Sequence, residues 1–206
     1  GTVEILTGTF TPAAGTHIGS FLIAAGATLA QSTSVTTNFN SGATVTGDGS
    51  TWTNTRDLLV GFYGTGTLVV ETGGTVNTCG YLEVGNVGVG LLTVSGGSIT
   101  GSGSMAIASG KGTVSGYGTI GIPVTNSGTL RASGGTLILS KAVSGSGSVT
   151  IDPGAAFSSS GGGTISGTVE INNSTLNIGP GSVGAGAFVA HNLLSTLSGN
   201  VAAGQT

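Results

Sequence analysis

The chain of 206 residues carries four basic and seven acidic side chains, for a formal net charge of -3, and it contains 42 glycines. So few Lys and Arg exclude a nucleic-acid surface, which needs concentrated positive charge, and no apolar run approaches the roughly 18 residues of a membrane-spanning helix. Serine and threonine make up roughly a quarter of the chain, and glycine follows no strict three-residue period, which excludes collagen. Regularly spaced Val, Leu and Ile, with a mean hydropathy of +0.41, separate the sequence from a solvated Gly/Ser linker.

In chain order, Val3-Glu4-Ile5-Leu6 reads as a strand and Thr7-Gly8 as a turn. A less regular passage with Pro12, Gly15 and His17 precedes the apolar run Phe21-Leu22-Ile23-Ala24-Ala25, which fits either a buried strand or a closure of the coil's end. Short alternating segments follow at Thr28-Leu29, Val35-Thr36 and Ala43-Thr44-Val45-Thr46. Gly47-Asp48-Gly49-Ser50 reads as a sharp turn. Trp52, the only indole, is expected to fill the core, with a sugar-stacking platform as the alternative.

From Leu58 onward the sequence nearly repeats itself. Leu58-Leu59-Val60-Gly61 returns as Leu82-Glu83-Val84-Gly85 after 24 residues and as Met105-Ala106-Ile107-Ala108 after a further 23. Between the first two, Gly66-Thr67-Leu68-Val69-Val70 returns as Gly90-Leu91-Leu92-Thr93-Val94, and Gly73-Gly74-Thr75-Val76 as Gly96-Gly97-Ser98-Ile99. Spacings of this size are those of stacked repeats. Successive strand residues face opposite sides, and the positions that stay apolar alternate with positions that vary. Leu58, Val60, Leu68, Val70, Leu82, Val84, Leu92, Val94, Met105 and Ile107 are therefore expected to form the inward ladders.

After Ile107 the repeats shorten, through Gly112-Thr113-Val114, Gly118-Thr119-Ile120, Gly135-Thr136-Leu137-Ile138-Leu139, Ser148-Val149-Thr150-Ile151, Thr168-Val169-Glu170-Ile171 and Thr175-Leu176-Asn177-Ile178. Glycine at a corner and a β-branched residue at the strand start suit each role. A chain that returns to one inward ladder with no helix between strands is a coil of parallel strands. The expectation is all-β: a right-handed parallel β-solenoid, or β-helix, with three short strands per coil and about 17–24 residues per coil. Residues 1–206 form one solenoid segment, regular over 26–178, with 1–25 and 179–206 as irregular ends or docking segments.

The phrases Gly49-Ser50-Thr51-Trp52-Thr53-Asn54, Leu59-Val60-Gly61 to Gly66-Thr67-Leu68-Val69-Val70, and Gly116-Tyr117-Gly118-Thr119-Ile120 to Val124-Thr125-Asn126-Ser127-Gly128-Thr129-Leu130 resemble the repeats of bacterial autotransporter passenger regions and related large surface adhesins. The resemblance covers roughly residues 26 to 178 and departs at 179–200, where Phe188-Val189-Ala190, His191 and Leu193-Leu194 interrupt the pattern. It implies a solenoid in an extracellular or bacterial cell-surface setting. It carries no catalytic residues.

Enzymatic solenoids need several carboxylates with a basic or metal partner along one face. Here Asp57 and Glu83 lie 26 residues apart, at nearly equivalent points of successive repeats, with Arg56 beside the first. Two exposed ends of a surface ladder are the expected reading. His17 and His191 stand alone, and no metal site or cofactor is expected. Cys79 is expected to be tucked in a turn, and Lys111, Arg131 and Lys141 to be solvated. An ice-binding face needs threonines in register; Thr93 aligning with Val69, and Glu83 with Leu59, speak against one.

The expectation is thus a non-catalytic structural or adhesive repeat protein, with head-to-tail assembly into a fibre through neighbouring copies, or continuation into further repeats of a long passenger. A surface or a glycan is the other expected partner. Unpaired strands at the coil ends favour stacking. Phe21, Leu22, Ile23, Phe188, Val189, Leu193 and Leu194 are the expected docking residues.

Overall fold

The computed structural model describes residues 2–11, 20–31, 37–39, 41–183, 185–192 and 194–199. The segments at Pro12, Gly15, His17, Val35-Thr36 and Leu193, and the last residues from 200 onward, lie outside the described residues. The chain is an all-β parallel β-solenoid of about 9 turns, with about 21 residues per turn. Every strand pairing is parallel, and no helix occurs among the described residues.

Each turn contributes to three faces. On the first, Thr2–Ile5 pairs with Ser20–Ile23, that strand with Gly42–Val45, and that with Gly66–Glu71. The second face starts at Thr9–Phe10 and runs through Thr28–Gln31, Thr51–Asn54 and Thr75–Thr78. The third runs from Thr37–Phe39 through Leu58–Val60, Tyr81–Val84, Ser104–Ile107 and Val124–Asn126 to Val143–Ser144. Such a stack removes nearly every backbone N–H and C=O from water into a ladder, so glycine-rich strands of low intrinsic β preference are held by pairing on both edges.

The repeat register read from the sequence is the register of the fold. Leu82 lies between Leu58 and Met105, and Val84 between Val60 and Ile107; Leu92 pairs with Leu68 and Val94 with Val70. All ten are at most 1% exposed. Because a parallel strand repeats its side-chain direction at each rung, one register choice fixes the contents of the whole interior.

Two expectations change. In the middle of the coil the first and second faces are not separate strands: Gly90–Thr100, Gly112–Ile120 and Thr129–Leu139 each run continuously through both. The bend between faces is taken up by a shift of register between Ser95 and Ser98, and between Gly116 and Gly118. Gly116 has φ 114°, and a Cβ there would sit 1.9 Å from the Val94 carbonyl oxygen. A side chain is excluded by backbone and by conformation together. On the first face only 16 residues separate Val114 from Leu130, just under the expected minimum, because the bend of the later coil holds more of the residues than that of the earlier one.

The ladder also extends beyond 26–178. Phe21 and Ile23 are buried beneath Val3 and Ile5, one strand inside the stack. At the other end Val169 pairs with Phe188 and Leu176 with Leu197, continuing the two faces. Strand pairing organises the described parts of both passages.

Candidate functional site

Asp57 and Glu83 do not form a pair. The rung partner of Glu83 is Leu59, and its neighbour on the next turn is Ala106. Asp57 sits before the strand, where its Oδ1 accepts a hydrogen bond of 2.9 Å from the backbone N–H of Tyr81, one coil on. Glu83 Oε1 accepts one of 2.9 Å from Asn86 Nδ2. Both carboxylates are engaged in holding corners. Burial, with Glu83 and then Asp57 nearby, raises the pKa of the Tyr81 phenol above the ordinary tyrosine value.

The remaining charge is scattered. Arg131 Nη2 lies 2.8 Å from Asp152 Oδ2, and its Nε donates to both carboxylate oxygens at 2.9 Å. That contact raises the arginine pKa further, and the pair bridges two coils across the first face. Lys111 and Lys141 are exposed, as is His191; no group of three or more His, Cys, Asp or Glu able to hold a metal occurs among the described residues.

Trp52 is fully buried. Its Nε1 donates to Gln31 Oε1 at 2.7 Å, and its ring is tilted against Phe21 at 5.6 Å between centroids. It is a core side chain with its one polar atom satisfied, not a platform for sugars. Cys79, by contrast, is not tucked away: the residue is exposed at a corner, with only its backbone N–H engaged, donating to the Asn54 carbonyl oxygen at 2.9 Å.

The expected docking residues fall into separate environments. Phe21 and Ile23 belong to the interior, and Leu22 is a half-buried outward residue between Glu4 and Thr44. Phe188 is half-buried against the core, Val189 is 39% exposed and Leu194 74% exposed. Only the last two present open apolar surface. Other exposed apolar groups gather at the corner before the first face, where the backbone of Val87 hydrogen-bonds to Phe62 beside the exposed ring of Tyr63.

The outward side of the second face holds an arrangement the sequence reading passed over. Thr28, Thr51, Thr75, Ser98 and Thr119 stand in register on five successive coils. Beside them, two residues further along each strand, Thr53, Asn77 and Thr100 form a second file. No charged residue occurs in the strands of this face, whereas the first face carries Glu4, Glu71, Arg131 and Glu170 and the third carries Glu83. The signal was present as Thr51-Trp52-Thr53, Thr75-Val76-Asn77 and Ser98-Ile99-Thr100. It was obscured because Thr93 and Glu83, which break register with hydroxyls, lie on the other two faces.

Comparison with protein-family models, with curated proteins and with solved structures finds no match to this chain.

Proposed function

We propose that this chain is an extracellular, non-catalytic structural and adhesive solenoid of the kind found in autotransporter passengers and large surface adhesins. The observation that carries the reading is a parallel ladder of about 9 turns with few charged groups on its outer side, of which Asp57, Glu83 and Asp152 are each held in a local contact. Fold by itself licenses no activity; the repeat phrases around Trp52 and from Tyr117 to Leu130 supply the resemblance to surface proteins.

Among the described residues, Thr2–Ile5 and Thr9–Phe10 at one edge, and Ala187–Ala190 and Thr196–Gly199 at the other, each pair on one side only. Val3 and Phe10 at the first edge, with Leu197 at the second, leave interior files partly open to solvent. Further coils, from the same chain or from a neighbouring copy, would complete both edges, and a head-to-tail contact of that type propagates without closing.

The test is retention of the chain on surfaces of defined chemistry as salt is raised. With so little charge, binding rests on hydrogen bonds and close fit and changes little with ionic strength. A tenfold loss between low and moderate salt would overturn this account of the surface. So would a glycan-cleaving activity that disappears in Asp57→Asn or Glu83→Gln.

A further inference from the structure

We infer that the second face, built on Thr28–Gln31, Thr51–Asn54, Thr75–Thr78 and the second halves of Gly90–Thr100 and Gly112–Ile120, is a plane that adsorbs to ice. The inference rests on the adhesive reading only for its setting; the face itself is argued from geometry.

A ligand that complements this face must itself be periodic. Parallel strands set hydroxyls about 4.8 Å apart from coil to coil, and alternate residues of one strand about 6.6 Å apart. Thr51 and Thr53, Thr75, and Ser98 and Thr100 therefore mark out a two-dimensional net of hydrogen-bonding groups, with Asn77 in the second file turning its Oδ1 to a buried position. Both repeats lie near those of water oxygens on faces of hexagonal ice. A folded protein partner without a repeat of its own offers no such repetition.

Three features make the net suitable for frozen water. The β-branched threonine has few χ1 choices, so little side-chain freedom is lost on binding. Next, the hydroxyls are available: among the described residues Thr53, Thr75, Ser98, Thr100 and Thr119 make no side-chain hydrogen bond, and Thr51 Oγ1 alone of the threonines in the net donates one, 3.3 Å to the Gly49 carbonyl oxygen. Finally, no charge stands in the face, so no tightly held ionic hydration shell has to be stripped or fitted into the lattice.

A crystalline polysaccharide is also periodic, but sugar rings seat on aromatic side chains. The exposed tyrosines lie elsewhere: Tyr81 on the third face, Tyr117 at a bend and Tyr63 in a corner loop. Among the described residues, Trp52 on the central rungs of the second face points inward, and Tyr117 borders the face at the bend, its ring beside Gly134 and Gly135.

The test compares wild type with Thr75→Lys and Thr53→Lys, and with Thr93→Lys, which places the same charge on the first face. Circular dichroism establishes that each keeps the β signal; the two second-face variants are alternatives should either fail to fold. Single ice crystals are then grown slowly in each solution, and both the faceting of the crystal and the protein taken into the ice are measured. Wild type and Thr93→Lys are expected to facet the crystal and enter it, and Thr75→Lys or Thr53→Lys to enter at least tenfold less. Exclusion of wild type from the ice, or equal loss in Thr93→Lys, would overturn the inference. Capture by crystalline cellulose that Thr75→Lys abolishes, without uptake into ice, would reassign the face to a polysaccharide. Absence of ice uptake alongside salt-insensitive retention on another surface would overturn this inference alone and leave the adhesive reading standing.

Discussion

Asp57 reaches across one coil to accept a hydrogen bond from the backbone N–H of Tyr81, at 2.9 Å. The contact ties the entrance of one third-face strand to the next, at a point where the ladder between Leu58 and Leu82 has just begun. Asp57→Ala should therefore destabilise by ~1–2 kcal/mol, as loss of a hydrogen bond to a charged, solvent-exposed acceptor does. Asp57→Asn, which retains an acceptor oxygen, should cost less. Urea midpoints at unchanged m-value check both, and equal losses would show that charge rather than geometry matters.

Tyr81 supplies a pH dependence. Burial, and after it Glu83 and Asp57, raise its pKa in the fold, so the folded chain favours the neutral phenol more than the unfolded chain does. That contribution is complete below the unfolded tyrosine value of about 10 and is lost as pH rises through the folded value. The residue is 40% exposed, so solvent screening keeps the effect small. Wild type should lose stability relative to Tyr81→Phe through this alkaline window, and an ultraviolet titration should show Tyr81 ionising later than free tyrosine.

The interior register predicts unequal costs for neighbouring positions. Leu82 is fully buried between Leu58 and Met105, so Leu82→Ala should cost ~2–5 kcal/mol. Leu59 faces outward from the adjacent coil, and Leu59→Ser should cost well under ~1 kcal/mol. Denaturation midpoints that move equally would contradict the register.

Two glycines separate conformational strain from collision. Gly154 has φ 75° with open space around its missing Cβ, so Gly154→Ala should cost ~1–2 kcal/mol from the left-handed backbone alone. At Gly116 the same substitution adds a collision with the Val94 carbonyl, across a rung of the ladder. Its thermal midpoint should fall clearly further, and comparable shifts would remove the close-approach argument.

Trp52 reports on unfolding without labels. As the only indole, fully buried and hydrogen-bonded to Gln31, it should emit at short wavelength in the folded chain and shift to the red on denaturation. Trp52→Ala should cost ~3–5 kcal/mol through the cavity it leaves.

The amino-acid sequence by itself determined the solenoid and the contents of its core. Leu58, Leu82 and Met105 recur at the spacing of a coil, and alternation along each strand separates inward from outward residues, so both the fold and the inward file are local, periodic information. Tertiary structure alone decided which residues share an outer face. Asp57 and Glu83 look equivalent in the chain, yet pairing offsets them by two positions and gives each its own hydrogen bond. Cys79 sits in a turn by its sequence context, but only the path of the corner leaves it exposed. The file of Thr51, Thr75 and Ser98 exists because the bends at Gly47 to Ser50, Gly73-Gly74 and Gly96-Gly97 bring the second face back to the same phase each turn. Outward side chains receive no packing constraint that would mark them in the sequence, so their alignment is set by the coil's corners.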